Sequence, residues 1–205
     1  MERPAPFARI SHRLSRAQST PPHNPGPQRP AAVALILRET GNGMELLFIE
    51  RAHHPDDPWS GNIGLPGGRM DPTDADLRTT AERETREEVG IDLQGAGYLG
   101  RLSDVVGHNL PVRVACFVYG LTSAMRLSLS DEVHDAFWFD MEELWAPERQ
   151  VMASFSFDGR TLEAPAIRLG PHRPVLWGIT YRLVSQFRQL TTGEGDGVIP
   201  YELAL

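Results

Sequence analysis

Glu84, Glu87 and Glu88, followed directly by Val89 and Gly90, constrain this chain more than any other feature. On an α-helix, residues three and four apart lie on one face, so the three carboxylates project together. Groups so placed repel one another unless a cation sits among them. A hard divalent ion, Mg²⁺ or Mn²⁺, answers that need, because it takes oxygen ligands from a few carboxylates, water and substrate phosphates. Arg83 stands four residues before Glu87, where a charge-assisted bond can hold a carboxylate. Gly90 ends the predicted helix, and the pair Gly67-Gly68 ahead of it lets backbone approach a ligand or metal closely. A charge run is ordinarily a solvated face. The double glycine, the spacing and the Arg-Glu pair occurring together favour a metal site instead.

The stretch 65–93 resembles the box of the Nudix hydrolases, G-x5-E-x7-R-E-U-x-E-E-x-G-U, where U is apolar. Residues 83–91 match it position by position, except that Thr85 stands where an aliphatic residue is usual. The first half departs. Counting back from Arg83, the box glutamate falls on Ala75 and the first glycine on Arg69, so the chain carries one extra residue between Gly68 and Arg83. Asp74 and Asp76 are the two candidates for the structural role of the missing glutamate. The resemblance implies that Glu84, Glu87 and Glu88 bind the metal, that Gly67 offers its carbonyl to it, and that Arg83 orients the glutamates. It also implies hydrolysis of a nucleoside diphosphate joined to another group, with charge neutralisation and alignment of a water as the main tasks. A general base must take the water's proton. Either one of the helix glutamates or Glu132, which resembles the family's late-loop glutamate, fills that role; the other reading of Glu132 is a solvated turn residue.

Upstream, residues 46–52 (LLFIERA) and 60–68 (SGNIGLPGG) resemble the element that precedes the box in coenzyme A pyrophosphatases. Downstream, Ser-Asp-Glu-Val at 130–133, the Trp138 segment and residues 170–178 (GPHRPVLWG) follow in the same order. The resemblance makes coenzyme A or an acyl-coenzyme A the first substrate, cleaved to 3′,5′-ADP and a phosphopantetheine, with Arg51, Gly68 and Arg69 as substrate-binding residues. A guanidinium such as Arg51 suits a 3′-phosphate or a diphosphate, which it pairs bidentately. Against this, the subfamily's second arginine falls near the acids Asp56 and Asp57, Leu65 replaces a usual Phe, and Ile49 a usual Thr. ADP-ribose or a dinucleoside polyphosphate is the alternative substrate, and a nucleotide-binding module without chemistry the third reading. His53 and His54 beside Arg51 can touch phosphate or lie exposed. Trp59 and Trp177 can stack on an adenine, although core packing is the simpler use of Trp177. His172 and Arg173 stand before a predicted helix, where an anion site or a plain turn is expected.

The net charge of −7 argues against broad nucleic-acid binding, which wants a basic face. All 20 Lys+Arg residues are arginine, which we read as a compositional bias. Cys116 alone cannot form an internal disulfide and reads as a small buried hydrophobe. No apolar run approaches the ~20 residues of a membrane span. We expect a cytoplasmic protein, its acid-poor N-terminus only faintly like a mitochondrial transit peptide, with no membrane or nucleic-acid partner; a homodimer is open.

A length of 205 residues suits one domain with extensions. We divide it into a Pro/Arg-rich N-terminal extension (1–30) appended to the core, a Nudix domain (31–190) and a tail (191–205). Within the extension, residues 7–18 have helical spacing and 19–30 read as a linker. Strands are expected at 31–37, 45–50, 98–105, 112–121 and 135–140, with a hairpin from 154–157 to 161–167 turning at Asp158-Gly159. Helices are expected at 76–89, 141–145 and 174–190. This alternation predicts an α/β (α+β) protein with helices on both faces of a mixed sheet, an order that resembles the Nudix α/β/α sandwich.

Overall fold

The computed structural model describes residues 6–17, 28–41, 43–54, 59–107, 111–123, 125–157 and 160–192. In chain order its elements are α1 (Pro6–Arg16), β1 (Arg29–Thr40), β2 (Gly43–Arg51), β3 (Ile63–Gly64), β4 (Gly67–Arg69), α2 (Leu77–Val89), β5 (Gly97–Arg101), β6 (Val105–Val106), β7 (Val112–Leu121), β8 (Val133–Asp140), α3 (Met141–Leu144), β9 (Gln150–Phe157), β10 (Arg160–Ile167) and α4 (Gly178–Thr192).

The continuous apolar runs of β1 and β7 have one good solution, burial on both faces. They pair in parallel from Arg29↔Val112 to Arg38↔Leu121. Around that pair the sheet is antiparallel: β2 lies along the end of β1, β8 along β2, and β4 against the start of β1. The eight strands make one mixed sheet, and β9 and β10 form a separate hairpin. Alternate residues of β1 face opposite ways. Leu35 and Leu37 meet Ile10 and Leu14 of α1 and Leu183, Val184 and Phe187 of α4. Ala34 and Ile36 meet Ala81 and Val89 of α2 and Ile91 beyond it. Helices therefore cover both faces of a mixed sheet, as expected.

Helix α2 is bounded by side-chain chemistry. Asp76 caps its start, accepting the N–H of Thr79 at 2.8 Å, and Gly90 ends it in the left-handed conformation at φ 73°. Thr85, the polar substitution in the box, is fully buried. Its hydroxyl donates to the carbonyl of Ala81 at 2.7 Å, so burying it leaves no orphaned group.

Several expectations need correction. The first residues are not merely appended, because α1 buries Ile10 and Leu14 in the core. Room for it comes from two glycines: a Cβ at Gly100 would stand 2.7 Å from Leu14, and one at Gly120 would stand 2.9 Å from the Phe7 ring. The expected strand 98–105 is broken into β5 and β6. Between them the N–H of Leu102 donates to the Cys116 carbonyl and Arg101 pairs with Asp104. The last helix begins at Gly178 and not at residue 174, since Leu176 is extended and exchanges two backbone bonds with Ile167. Cys116 is buried, and burial pushes its thiol well above the usual range, which fits a packing role. The hairpin turn at 158–159 and residues 193–205 lie outside the described residues, as does most of the linker. Among the described residues no helix is long and apolar enough to cross a membrane.

Candidate active site

The loop ahead of α2, the helix itself and the loop ahead of β8 come together. Glu84, Glu87 and Glu88 line one side of a cleft of about 430 Å³, and Ser130, Asp131 and Glu132 line the other. The opposite wall is fixed to the helix end. Ser128 N–H donates to the Val89 carbonyl and Ser130 N–H to that of Glu88, both at 3.0 Å. These bonds occupy carbonyls that a helix terminus otherwise leaves open. Gly90 is required by the same contact, because a Cβ there would lie 2.9 Å from Ser128 Cβ. Ser130 opens the Ser-Asp-Glu-Val stretch noted in the sequence, whereas nothing there signalled Ser128.

Glu88 is the deepest of the three, 2% exposed. One of its oxygens accepts the Gly67 N–H at 2.8 Å, and the other faces the Arg51 guanidinium at 3.8 Å. Burial outweighs both and pushes its carboxyl up to about 8, with Glu84 and Glu132 adding repulsion. Glu84 is raised for the same first reason, loss of water, against the pull of Arg83. Its carboxylate rests on Gly68, where an added Cβ would fall 2.5 Å from it. Glu87 is more exposed and is held by Arg83 at 2.9 Å.

Arg83 is the knot of the site. Its Nε and Nη2 grip the two oxygens of Asp74 at 2.9 and 3.0 Å, Nη2 also reaches Glu84 at 3.0 Å, and Nη1 holds Glu87. Asp74 is 8% exposed. It also accepts the Asp71 N–H and the Thr80 hydroxyl, both at 2.9 Å. These donors, Arg83 first, hold its carboxyl well below the usual range. Of the two candidates for the missing box glutamate, Asp74 contacts Arg83 and Asp76 caps the helix. The extra residue before Arg83 is absorbed in the loop that brings Asp74 back.

The other proposed substrate residues are placed unevenly. Arg51 ends β2 and points at Glu88. Arg69 is exposed, and its backbone carbonyl lies 3.4 Å from Arg83 Nη2. Gly67 turns its N–H to Glu88. His53 and His54 are both exposed, and Asp56 and Asp57 lie outside the described residues. One face of the Trp177 ring stacks on Phe155 at 3.7 Å. Arg173 is not at a helix N-terminus, because α4 begins later. It bridges Glu50 and Asp135 at 3.7 and 2.8 Å, which face one another across β2 and β8 and would otherwise repel.

The donor set fits a hard divalent ion, being all carboxylate oxygen with backbone alongside. The glutamates share a cleft and do not form a finished cage: among the described residues no three His, Cys, Asp or Glu side chains already stand as a metal-binding group. An ion held there would draw further oxygens from water and phosphate, as magnesium does.

The NUDIX domain model matches residues 27–157. The chain belongs to the Nudix family. It is 31% identical over 157 residues to the human mitochondrial coenzyme A diphosphatase NUDT8, covering 74% of this chain and 66% of that one. An uncharacterized protein of Schizosaccharomyces pombe is 38% identical over 113 residues, 51% of this chain and 34% of its own. The chain thus spans a third to two thirds of these curated relatives. Among solved structures, a MutT/nudix family protein from Enterococcus faecalis superposes with TM-score 0.56 at 16% identity, covering 84% of this chain and 65% of that one.

Proposed function

We propose that this chain is a divalent-metal-dependent diphosphatase that cleaves coenzyme A or an acyl-coenzyme A into 3′,5′-ADP and a 4′-phosphopantetheine. The observation that carries the reading is the cleft with Glu84, Glu87 and Glu88 on one wall, Glu132 on the other and Arg51 at Glu88. Similarity to the human coenzyme A diphosphatase supports the substrate.

Glu84, Glu87 and Glu88 are the side chains that would hold Mg²⁺ or Mn²⁺, with the Gly67 carbonyl beside them. The bound ion supplies neutralisation of the diphosphate's charge and a fixed position for water. Arg83, itself fixed by Asp74, keeps Glu84 and Glu87 turned into the cleft. Arg51 meets a diphosphate oxygen with its guanidinium, and the backbone at Gly68 and Arg69 lines the approach. Water attacks one phosphorus, the P–O–P bond breaks, and each product leaves with one of the two phosphates of the diphosphate. Glu132, exposed on the far wall, accepts the water's proton. Its field reaches Glu84 and Glu88.

One observation favours a second substrate. The acids Asp56 and Asp57 stand where the resembling subfamily has an arginine, which suits a less anionic diphosphate such as ADP-ribose. For the compartment we keep the cytoplasm as the reading, although the human relative is named as mitochondrial.

The test is product analysis by mass spectrometry with Mg²⁺ or Mn²⁺ on coenzyme A, acetyl-coenzyme A, ADP-ribose, NADH and diadenosine polyphosphates. Formation of 3′,5′-ADP from coenzyme A supports the reading. Turnover of ADP-ribose alone replaces the substrate and keeps the chemistry. No turnover with either metal leaves a nucleotide-binding module.

A further inference from the structure

Arg51 stands just past an irregularity in strand pairing, opposite Val133 of β8. The register between β2 and β8 shifts between Glu50 and Arg51, and β3 pairs with β2 only at Ile49 and Glu50. The segment just before β3 also holds Arg51. The Arg51 N–H donates to the Asn62 carbonyl at 3.0 Å, and the Gly61 N–H donates to the Arg51 carbonyl at 3.2 Å. The next N–H, of Ala52, donates to the Glu132 carbonyl at 2.9 Å. The backbones that carry the Arg51 cation and the Glu132 carboxylate therefore meet at one hydrogen-bonded junction.

Asn62 is held in turn from the other end of the chain. Its side-chain oxygen accepts the indole N–H of Trp177 at 3.3 Å. That indole is fixed twice over. Its ring lies on Phe155 of β9, 13° from parallel, and its backbone sits between Leu176, bonded both ways to Ile167, and Gly178 at φ 63°. Trp177 is half-buried and precedes α4, so a phenylalanine fills most of its space as a packing element. A phenylalanine has no N–H to offer Asn62.

We propose that Trp177 is a positioning residue for Arg51, acting through the side chain of Asn62, so that the β9–β10 hairpin and the segment before α4 set the aim of the cleft's substrate-binding cation. This rests on the diphosphatase reading for its consequence in turnover, while the physical link stands apart from it. A flexible Arg51 loses affinity before chemistry, because ordering a long side chain costs rotamer freedom at each binding event.

The test uses the full chain with Trp177→Phe, which keeps a ring on Phe155 and removes the N–H. Asn62→Ala serves as a second variant that leaves the aromatic pair intact. Amide exchange of the peptides covering residues 51–54 and 59–62 should quicken about tenfold in both variants, as local opening becomes easier. The KM for coenzyme A should rise about fivefold with kcat within about twofold. In an Arg51→Ala background, Trp177→Phe should add nothing to KM, the sign of a shared path. Unchanged exchange would overturn the proposal, and so would an equal KM effect with and without Arg51. If the parent protein cleaves none of the diphosphates, the functional reading falls and the exchange result alone decides the link.

Discussion

Glu88 and Gly67 lie 21 residues apart, and the carboxylate of one accepts the backbone N–H of the other at 2.8 Å. The bond ties the centre of the glutamate cluster to the double glycine. The two glycines differ in what a side chain there would meet. At Gly67 a Cβ would fall 2.2 Å from the Ala32 carbonyl, with φ already at +149°, so any side chain forces the backbone of β1 apart. At Gly68 the obstacle is the far end of Glu84, which can move aside. Gly67→Ala is expected not to yield a folded protein. Gly68→Ala should fold with a melting temperature within a few degrees of the parent's, yet bind Mn²⁺ about tenfold more weakly, because Glu84 is displaced from the cleft. Thermal unfolding and metal titration of the two variants check this.

Asp74 and Asp76 separate by role. Asp74→Ala strips a nearly buried partner from Arg83 and is expected to cost about 3 kcal/mol. Turnover should fall with it, because Glu84 and Glu87 lose their anchor. Asp76→Ala removes only the helix cap, worth about 1 kcal/mol, and should leave kcat unchanged. Denaturant unfolding beside steady-state kinetics distinguishes them; a kcat loss for Asp76→Ala equal to that for Asp74→Ala would reassign the clamp.

The raised carboxyl of Glu88 makes the metal-free protein sensitive to pH in a definite direction. Free glutamate ionises near 4.5, whereas Glu88 holds its proton up to about 8. Between those values the folded chain binds a proton that the unfolded chain has released. Stability therefore falls as pH rises through that window. Divalent metal requires the ionised form and should reverse the trend, releasing most of one proton at neutral pH. Melting curves across that range with and without Mn²⁺, and calorimetry in two buffers of different ionisation enthalpy, read both effects. Glu88→Gln should abolish them.

What was legible in the sequence follows from how local each signal is. The apolar runs at 31–37 and 112–121 announced strands, and they became the parallel pair β1 and β7. The bounds of α2 were written in Asp76 and Gly90. The start of α4 was not, because the apolar period through Leu176, Ile179, Leu183 and Phe187 runs straight over the bridge from Leu176 to Ile167. Docking of α1 depends on Gly100 and Gly120, far from Leu14 and Phe7 in sequence. Within the site, the carboxylate face of α2 could be read from its spacing. The choice of Asp74 over Asp76 could not, since both are short acids near the helix start and only the path of the loop separates them.

The most direct measurement of the central claim, that the Glu88 cleft hydrolyses a diphosphate, is the kcat of Glu88→Gln on the preferred substrate beside its melting temperature. The amide keeps an oxygen for the Gly67 N–H and removes the charge a metal needs. We expect kcat to fall about 10³-fold, on the scale of losing a main electrostatic group, with a fold at least as stable as the parent's. Near-normal turnover in a folded Glu88→Gln protein would contradict the account and take Glu88 out of the metal site.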